Sequence, residues 1–511
     1  MMKQFWNIFI MAFFGASICF AQSPDRPIHE RTIRNNSAIE NEVFSLVYGN
    51  PAMRSLQHTN TLTTLQLNGE YKKEELPSIV QEGDGLRMGT VDVASFIRKK
   101  NSSLWGEAYY KNGKQLGKCW NETSDYALLY PYVMGDTIGG DLKSEQYFFS
   151  GGYAYNTSKY IIGVEGAYKA AIEYRNADPR PKNLTGDLNV KIGAAKYLSP
   201  NYLIGIAGYA RKYKQTNDLA FYNELGVPNI YHFTGLGTDY YRFRGAKGES
   251  FYKGHAFGAS MELLPTQATG FSASIHYQNF QFDKVISSLN ELPMAKVKED
   301  EVNGEVAWKS TNNSAFQKGI RGGFQYVRRR GSENIFGAAY GNVFPQIGSQ
   351  EKYMNKMYEA SLAGVLEYTI AHGPTLSLLG QVDYSHIHTT YLYPQREMKV
   401  YFTTGKIDFR IAYPYKEWLF CGALGVESRF NNYAQLNLGD NPSNGKQALQ
   451  TPLINNFEAL QVNAHTVHTQ FRTDYSWNKK HSLFLAVNYI YGKDQRTANS
   501  HNVIGSLGFS F

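Results

Sequence analysis

The stretch HNVIGSLGFSF, residues 501–511, decides the fold. Val503, Gly505, Leu507, Phe509 and Phe511 share one parity, and Asn502, Ser506 and Ser510 take the other. Successive side chains of an extended chain point to opposite faces, so this is a strand with one apolar face. Soluble domains usually fray into polar residues at their ends, whereas this chain stops on an aromatic. Such a strand needs a partner along its edge and an apolar medium against its greasy side.

The same period recurs upstream. In HSLFLAVNYIYG (481–492), Leu483, Leu485, Val487, Tyr489 and Tyr491 form one face. Ser482, Ala486, Asn488 and Gly492, with Phe484 and Ile490, form the other. The first set fits lipid with tyrosines at headgroup level, and the second fits a lumen part wet and part filled. EQYFFSGGYAYN (145–156), KYIIGVEGAYKAAIEYR (159–175) and LTGDLNVKIGAAKYLS (184–199) repeat the alternation. These runs are about ten to seventeen residues, longer than the five or six of an ordinary globular strand but right for a tilted membrane strand with aqueous extensions.

Connections alternate between short and long. Short ones include NTS after Asn156, SPN around Pro200, AHGP around Gly373 and NKK around Lys479; long ones run Gln215–Ser250, Gly331–Asn355 and Asn432–Ala459. Short turns on one side and long loops on the other are the mark of an outer-membrane barrel, with the turns in the periplasm. Counting LTTLQLNGEYKK, LRMGTVDVASFIRKK and SLWGEAYYKNG as strands gives about eighteen; treating them partly as plug or rim gives fourteen or sixteen. The expected fold is therefore all-β, a transmembrane antiparallel barrel of about eighteen strands over residues 61–511.

Composition agrees. The 511 residues include 38 Tyr, 30 Phe and 47 Gly with only 19% charged, and no second apolar run of about 18 residues offers a spanning helix. MMKQFWNIFIMAFFGASICFAQS reads as a signal peptide, residues 1–21, cut between Ala21 and Gln22. Export to the cell outer membrane follows as an expectation. Residues 22–60 read as a periplasmic N-terminal segment, or one tucked into the barrel mouth, with a possible short helix, since Ile39, Val43, Leu46 and Val47 fall near one helical face. Only Cys119 and Cys421 remain after cleavage, too few and too distant for a disulfide framework or metal site. The formal charge of +8 is diffuse; it suits anionic lipopolysaccharide or solutes, and no motif points to nucleic acid.

Candidate sites are few. RNADPRPKN (175–183) is restricted by prolines and could present Arg180 and Lys182 to an anion, or simply seal the mouth. Arg321 and Arg329 sit on expected strands as possible lumen cations that would favour an anionic or polar ligand. NETSDYALLYPYVMGDTIGGDL (121–142) is too apolar for an idle loop, and reads equally as an inward constriction or a docking surface. His386 and His388 point the same way but lack a third ligand nearby, so no metal or cofactor is expected. Ser, His and Asp residues show no nucleophile–base spacing, so the chain does not read as an enzyme. Lumen-facing Gly and Ala, as in IGIAGYA, suggest crowding by a plug or inward loop.

SDYALLYPY, DTIGGDL, EQYFFSGGYAYN, EYRNADPRPKN and LYPQREM together resemble a Bacteroidota family of porin-like outer-membrane barrels of unknown function. The resemblance runs from about Leu62 onward. It implies fold and location, supplies no catalytic residues, and suggests a setting beside TonB-dependent uptake systems. The resulting expectation is a channel or accessory component for uptake of a small polar or anionic solute. The alternatives are a scaffold subunit beside a TonB-dependent transporter or surface lipoprotein and, more remotely, a barrel hydrolase. Phe509 and Phe511 are the expected signal for the barrel-assembly machinery.

Overall fold

The computed structural model describes residues 26–222, 229–245, 249–310, 315–341, 343–371, 373–439 and 444–511. The expected leader, 1–21, and its cleavage site lie outside these residues.

Among the described residues three short helices come before the first strand, α1 (Ile28–Asn35), α2 (Ala38–Glu42) and α3 (Pro51–Arg54). The barrel strands follow: β1 (Leu62–Glu74), β2 (Gly85–Arg98), β3 (Ser102–Lys118), β4 (Gly140–Asn156), β5 (Tyr160–Tyr174) and β6 (Arg180–Ser199). Next come β7 (Tyr202–Ala220), β8 (Ser250–Pro265), β9 (Gly270–Ile286), β10 (Leu292–Lys309), β11 (Phe316–Phe336) and β12 (Gln346–Thr369). The last six are β13 (Thr375–Tyr391), β14 (Arg396–Tyr415), β15 (Trp418–Asn437), β16 (Ala464–Tyr475), β17 (Ser482–Asp494) and β18 (Asn499–Ser510). Each pairs antiparallel with the next in one 18-stranded sheet. The sheet closes because β18 pairs with β1, Leu507 opposite Leu67, and Thr63 and Phe511 exchange two backbone hydrogen bonds of 2.8 and 2.9 Å. Closure satisfies both sheet edges, which an apolar medium requires.

The outward faces carry the apolar parity. Leu483, Leu485, Val487, Val503 and Leu507 are exposed, whereas Phe484 and Ser510 are buried inside. Aromatic tiers bound this band. Near the long-loop end Tyr326, Tyr358, His386, Tyr401 and Tyr433 stand side by side across five strands, with successive centroids 4.8, 5.5, 4.1 and 5.1 Å apart. Near the short-turn end Phe509 stacks on Trp477 at 5.6 Å and meets Phe511 at 5.4 Å. On β12 the tiers are marked by Tyr358 and Tyr368. Ten residues at about 3.3 Å, tilted by about 40°, span roughly 25 Å along the barrel axis, the height of a lipid-facing band. Phe509→Ala together with Phe511→Ala strips the turn-end tier, and is expected to lower the fraction of barrel reaching the membrane in surface-protein gels; undiminished yield would count against it.

Three local expectations change. The helical pattern at 38–54 is broken into α2, a 3-10 turn at Val47–Gly49 and α3. Asn50 causes the last break: its Oδ1 accepts from Ala52 N–H at 2.9 Å, capping α3 with Pro51 in the first position. Gly331–Asn355 is less a loop than the tip of a long hairpin, because alternation continues through Ile335 and Ile347 and strands β11 and β12 follow it. Within Asn432–Ala459 lies a helix, α4 (Asn444–Leu460), where a loop was expected.

Candidate functional site

The lumen is filled from both ends. At the turn end, residues 26–60 lie inside the barrel mouth, fastened by wall side chains that alternation aims inward. Ser37 Oγ donates to both carboxylate oxygens of Glu367 at 2.9 Å, and Glu40 pairs with Lys309 at 2.7 Å. Ser45 Oγ and Leu46 N–H donate to Glu305 at 3.1 and 3.3 Å. Asn50 Nδ2 donates to Glu262 at 2.7 Å, and Arg54 meets Glu165 at 2.5 Å. Between these fasteners Ile39, Val43, Phe44, Val47, Ala52 and Met53 are buried to 1% exposure or less. Each wall carboxylate therefore fastens a plug donor, and at Asn50, which is fully buried, it satisfies a group that would otherwise be stranded away from water.

Three wall glycines leave room for α3. A Cβ on Gly163 would come within 2.5 Å of the Pro51 carbonyl carbon, and one on Gly205 within 2.6 Å of Met53 Cε. One on Gly193 would collide with Asn50 Oδ1. Gly163 and Gly193 are register partners on β5 and β6, so the bare patch is continuous. The crowding expected from lumen-facing glycines is seen here as plug atoms lying against the bare wall, Pro51 backbone at Gly163 and the Asn50 and Met53 side chains at Gly193 and Gly205.

The loop end is filled by residues 119–139 and 229–245 and by part of α4. The apolar Asn121–Leu142 stretch folds inward. Tyr126, Leu129, Tyr132 and Val133 pack with Phe233, Tyr252, Phe280 and Phe282. Strand Tyr231–Gly235 pairs with Met134–Gly135, tying the two insertions together. Wall cations cap plug carbonyls. Lys284 Nζ donates to Val133 O at 3.1 Å, Lys118 Nζ to Thr123 O at 3.3 Å, and an Arg396 Nη to Leu236 O at 2.6 Å. Arg175 is buried beside Glu122 at 2.7 Å and Asp136 at 3.0 Å, and its Nε donates to Pro179 O at 2.9 Å. His232, inside this plug, is wholly buried, and desolvation followed by the nearby Lys284 charge pushes its pKa well down, leaving it neutral.

Between the plugs lies a cavity of about 540 Å³. Ser45, Leu46 and Gly49 form its floor; Asn189, Lys191, Arg211, His276, Gln278 and Asn303 project from its wall. Its charges are balanced locally. Lys191 stands 3.7 Å from Glu165, and Arg211 makes two hydrogen bonds of 2.9 and 2.8 Å with Asp187.

The residues singled out from sequence are not brought together. Arg321 faces the lumen but donates to Ser45 Oγ at 2.9 Å, holding the turn-end plug. Arg329 is held by Glu299 at 2.6 Å and donates to Ala127 O and Tyr130 O at 2.8 and 2.9 Å, holding the loop-end plug. Arg180 and Lys182 share the outward parity of β6; Arg180 pairs with Asp178 at 2.7 Å and lies over Tyr222. None of the four lines the cavity. His386 and His388 also face outward, His388 with Glu397 at 2.8 Å. The inward Glu165, Glu262, Glu305 and Glu367 were missed, although Glu165 and Glu262 are single carboxylates interrupting the weakly charged runs IIGVEGAY and GASMELLP.

Comparison with known proteins adds architecture only. The copper transporter OprC is similar at 9% identity and a TM-score of 0.43, over 84% of this chain and 62% of that one. This chain thus spans under two thirds of OprC. BauA, the ferric preacinetobactin receptor from Acinetobacter baumannii, is similar at 8% identity and a TM-score of 0.39, over 88% of this chain and 80% of that one. The toluene transporter TodX of Pseudomonas putida is similar at 8% identity and 0.32, over 91% and 93%. These likenesses carry nothing about substrate or mechanism. No curated protein matches the sequence. A family model does match, over residues 51–511, and the chain belongs to the family of unknown function DUF6850.

Proposed function

We propose that this protein sits in the outer membrane, turn end toward the periplasm, and passes a small polar solute through a lumen that opens only when its plugs move. The observation that carries this reading is the cavity held between two folded plugs, lined by Asn189, Gln278 and Asn303 together with apolar Phe148, Ala167 and Ala207. The bounded apolar band supports the membrane placement, and barrel-assembly machinery is the expected route there. The neutral pairing of Lys191 and Arg211 favours a polar solute over a strictly anionic one. A plugged rest state predicts that purified protein in planar bilayers shows no steady conductance. Variants lacking 26–60 and all three loop-end insertions, 119–139, 229–245 and α4, are expected to conduct in steps typical of an open barrel. Steps of that size from the intact protein would sink the gating reading; silence from the unplugged but folded barrel would sink the channel reading altogether.

The strength of the fasteners supports a second reading, a closed barrel serving as scaffold for a transporter or surface lipoprotein. A partner that co-purifies stably, with no solute uptake in proteoliposomes, would favour it.

A further inference from the structure

One outward row has no counterpart in the lumen. Directly above the aromatic tier, one outward-facing step toward the loop end, stand Arg328, Lys356, His388 and Lys399. They are register partners across four consecutive strands: Arg328 opposite Lys356, Lys356 opposite His388, His388 opposite Lys399. The tier below runs in the same register, Tyr326 opposite Tyr358, Tyr358 opposite His386 and His386 opposite Tyr401.

Like charges directly opposed on one sheet face repel unless an anion lies among them. Glu397 supplies part of this, meeting both His388 and Lys399 at 2.8 Å. Asp300 is held by Arg330 at 3.2 Å and accepts from Tyr277 Oη and Asn279 Nδ2 at 2.9 and 2.8 Å. Among the described residues no carboxylate lies within 4.0 Å of Arg328 or Lys356. Arg328 Nε is shut away from water without an acceptor. Arg328 and Lys356, the first two of the row, are therefore left without an ion pair: Asp300 is the register partner of Arg328 on β10 but is engaged by Arg330, and the next outward positions hold Lys298 and Arg330, themselves directly opposed.

We infer that this row binds the phosphate-bearing headgroup of a glycolipid in the leaflet at the loop end. The inference rests on the membrane placement proposed above, and goes beyond the uptake reading because no lumen residue takes part. Position selects this occupant. Acyl chains contact the apolar band, aromatic rings lie at its boundary, and a cation one step further out meets the headgroup. The spacing of about 4.8 Å between strands makes the row roughly 14 Å long, the scale of a sugar headgroup rather than a single ion. Arginine and lysine side chains provide the charge-assisted donors a phosphate monoester accepts. The arrangement recurs at the same end, where Lys114 stands opposite both Arg87 and Lys143, and Lys214 opposite Lys253.

The test uses the full mature barrel in detergent with diphosphoryl lipid A, the same lipid enzymatically dephosphorylated, and inorganic phosphate. Binding is read by native mass spectrometry and by fluorescence titration. Wild-type protein is expected to retain diphosphoryl lipid A. Arg328→Gln with Lys356→Gln is expected to weaken retention on the order of tenfold or more, from about a tenfold loss per 1.4 kcal/mol and about 1 kcal/mol per surface cation. Lys318→Gln, at the turn end, is the control for a changed outer surface, and unchanged heat-modifiable migration shows that each variant is folded. Equal retention of phosphorylated and dephosphorylated lipid, or retention unaffected by the double variant, overturns the assignment. Competition by millimolar inorganic phosphate also overturns it, in favour of a free-anion site. If lipid binds but no solute ever passes, the uptake reading fails and this one stands.

Discussion

Arg175→Met is expected to destabilise the barrel by about 3–5 kcal/mol and to loosen the loop-end plug. The guanidinium is enclosed with two carboxylates, Glu122 and Asp136, both fully buried, and it also donates to the Pro179 carbonyl. Removing it leaves two buried negative charges without a counter-ion, Asp136 keeping only the backbone N–H groups of Ile138 and Gly139 on its Oδ1, and that costs far more than the pair contributes when whole. Neither carboxylate has an easy escape, because Glu122 O is itself held by Asn183 and Asn217, so the segment is pinned at that point. Denaturant unfolding of the detergent-solubilised protein, followed by the gel shift between folded and heated forms, gives the loss. Adding Glu122→Gln and Asp136→Asn to Arg175→Met should recover much of it, since an uncharged buried set needs no counter-charge. An Arg175→Met protein that unfolds with wild type would show that the buried triad does not hold the plug.

Gly163→Val combined with Gly193→Val is expected to displace the turn-end plug while leaving the barrel closed. Both new side chains would occupy space now filled by Pro51 and Asn50, in adjacent register positions, so neither neighbour can yield toward the other site. Overpacking of this kind costs about 1–3 kcal/mol per site where the surroundings cannot move. Here the plug can move, so the cost appears as a shift toward the displaced arrangement, roughly tenfold or more from the pair. Ser260 lines the cavity, and in a background with Cys119→Ala and Cys421→Ala a Ser260→Cys thiol reports its accessibility. Maleimide labelling from the turn side should rise with the double valine variant. Gly380→Val is the control, since nothing lies within 4 Å of a Cβ there. Labelling as slow as in the parent would mean that the plug is not seated on the glycines.

The barrel was legible because its signal is repeated: HSLFLAVNYIYG and HNVIGSLGFSF each declare two faces, and strand after strand agrees. The count of eighteen followed once the three segments between Leu62 and Asn112 were taken as strands, and β1 to β3 occupy them. The site was much less legible. A lumen cation looks the same in sequence whether it awaits a ligand or caps a carbonyl. Only the folded insertions reveal that Arg329 serves Ala127 and Tyr130, some two hundred positions away. Arg180 and Lys182 stand apart for a different reason: the strand begins at Arg180, inside the expected loop, so parity turns them outward. The seat of the turn-end plug was visible only as inward glutamates on the strands, whose partners come from the largely polar segment before β1. Short helices such as α3 depend on Asn50 and on the glycines beneath them, and neither local propensity nor periodicity announces them.

The seam between Thr63 and Phe511 sets an order of events. Every other strand pair joins chain neighbours, whereas this one joins positions separated by nearly the whole barrel, so it forms last. The plug at 26–60 precedes β1 in the chain, yet it is fastened to side chains spread from β5 to β14. It is made first and can be fully engaged only when much of the wall exists. The leading segment is thus placed to act as a mandrel, with fasteners on successive hairpins that can be engaged before the circle shuts. Barrels assembled without it should close more slowly or in the wrong circumference, an outcome that separates a part needed for assembly from one needed only as a gate.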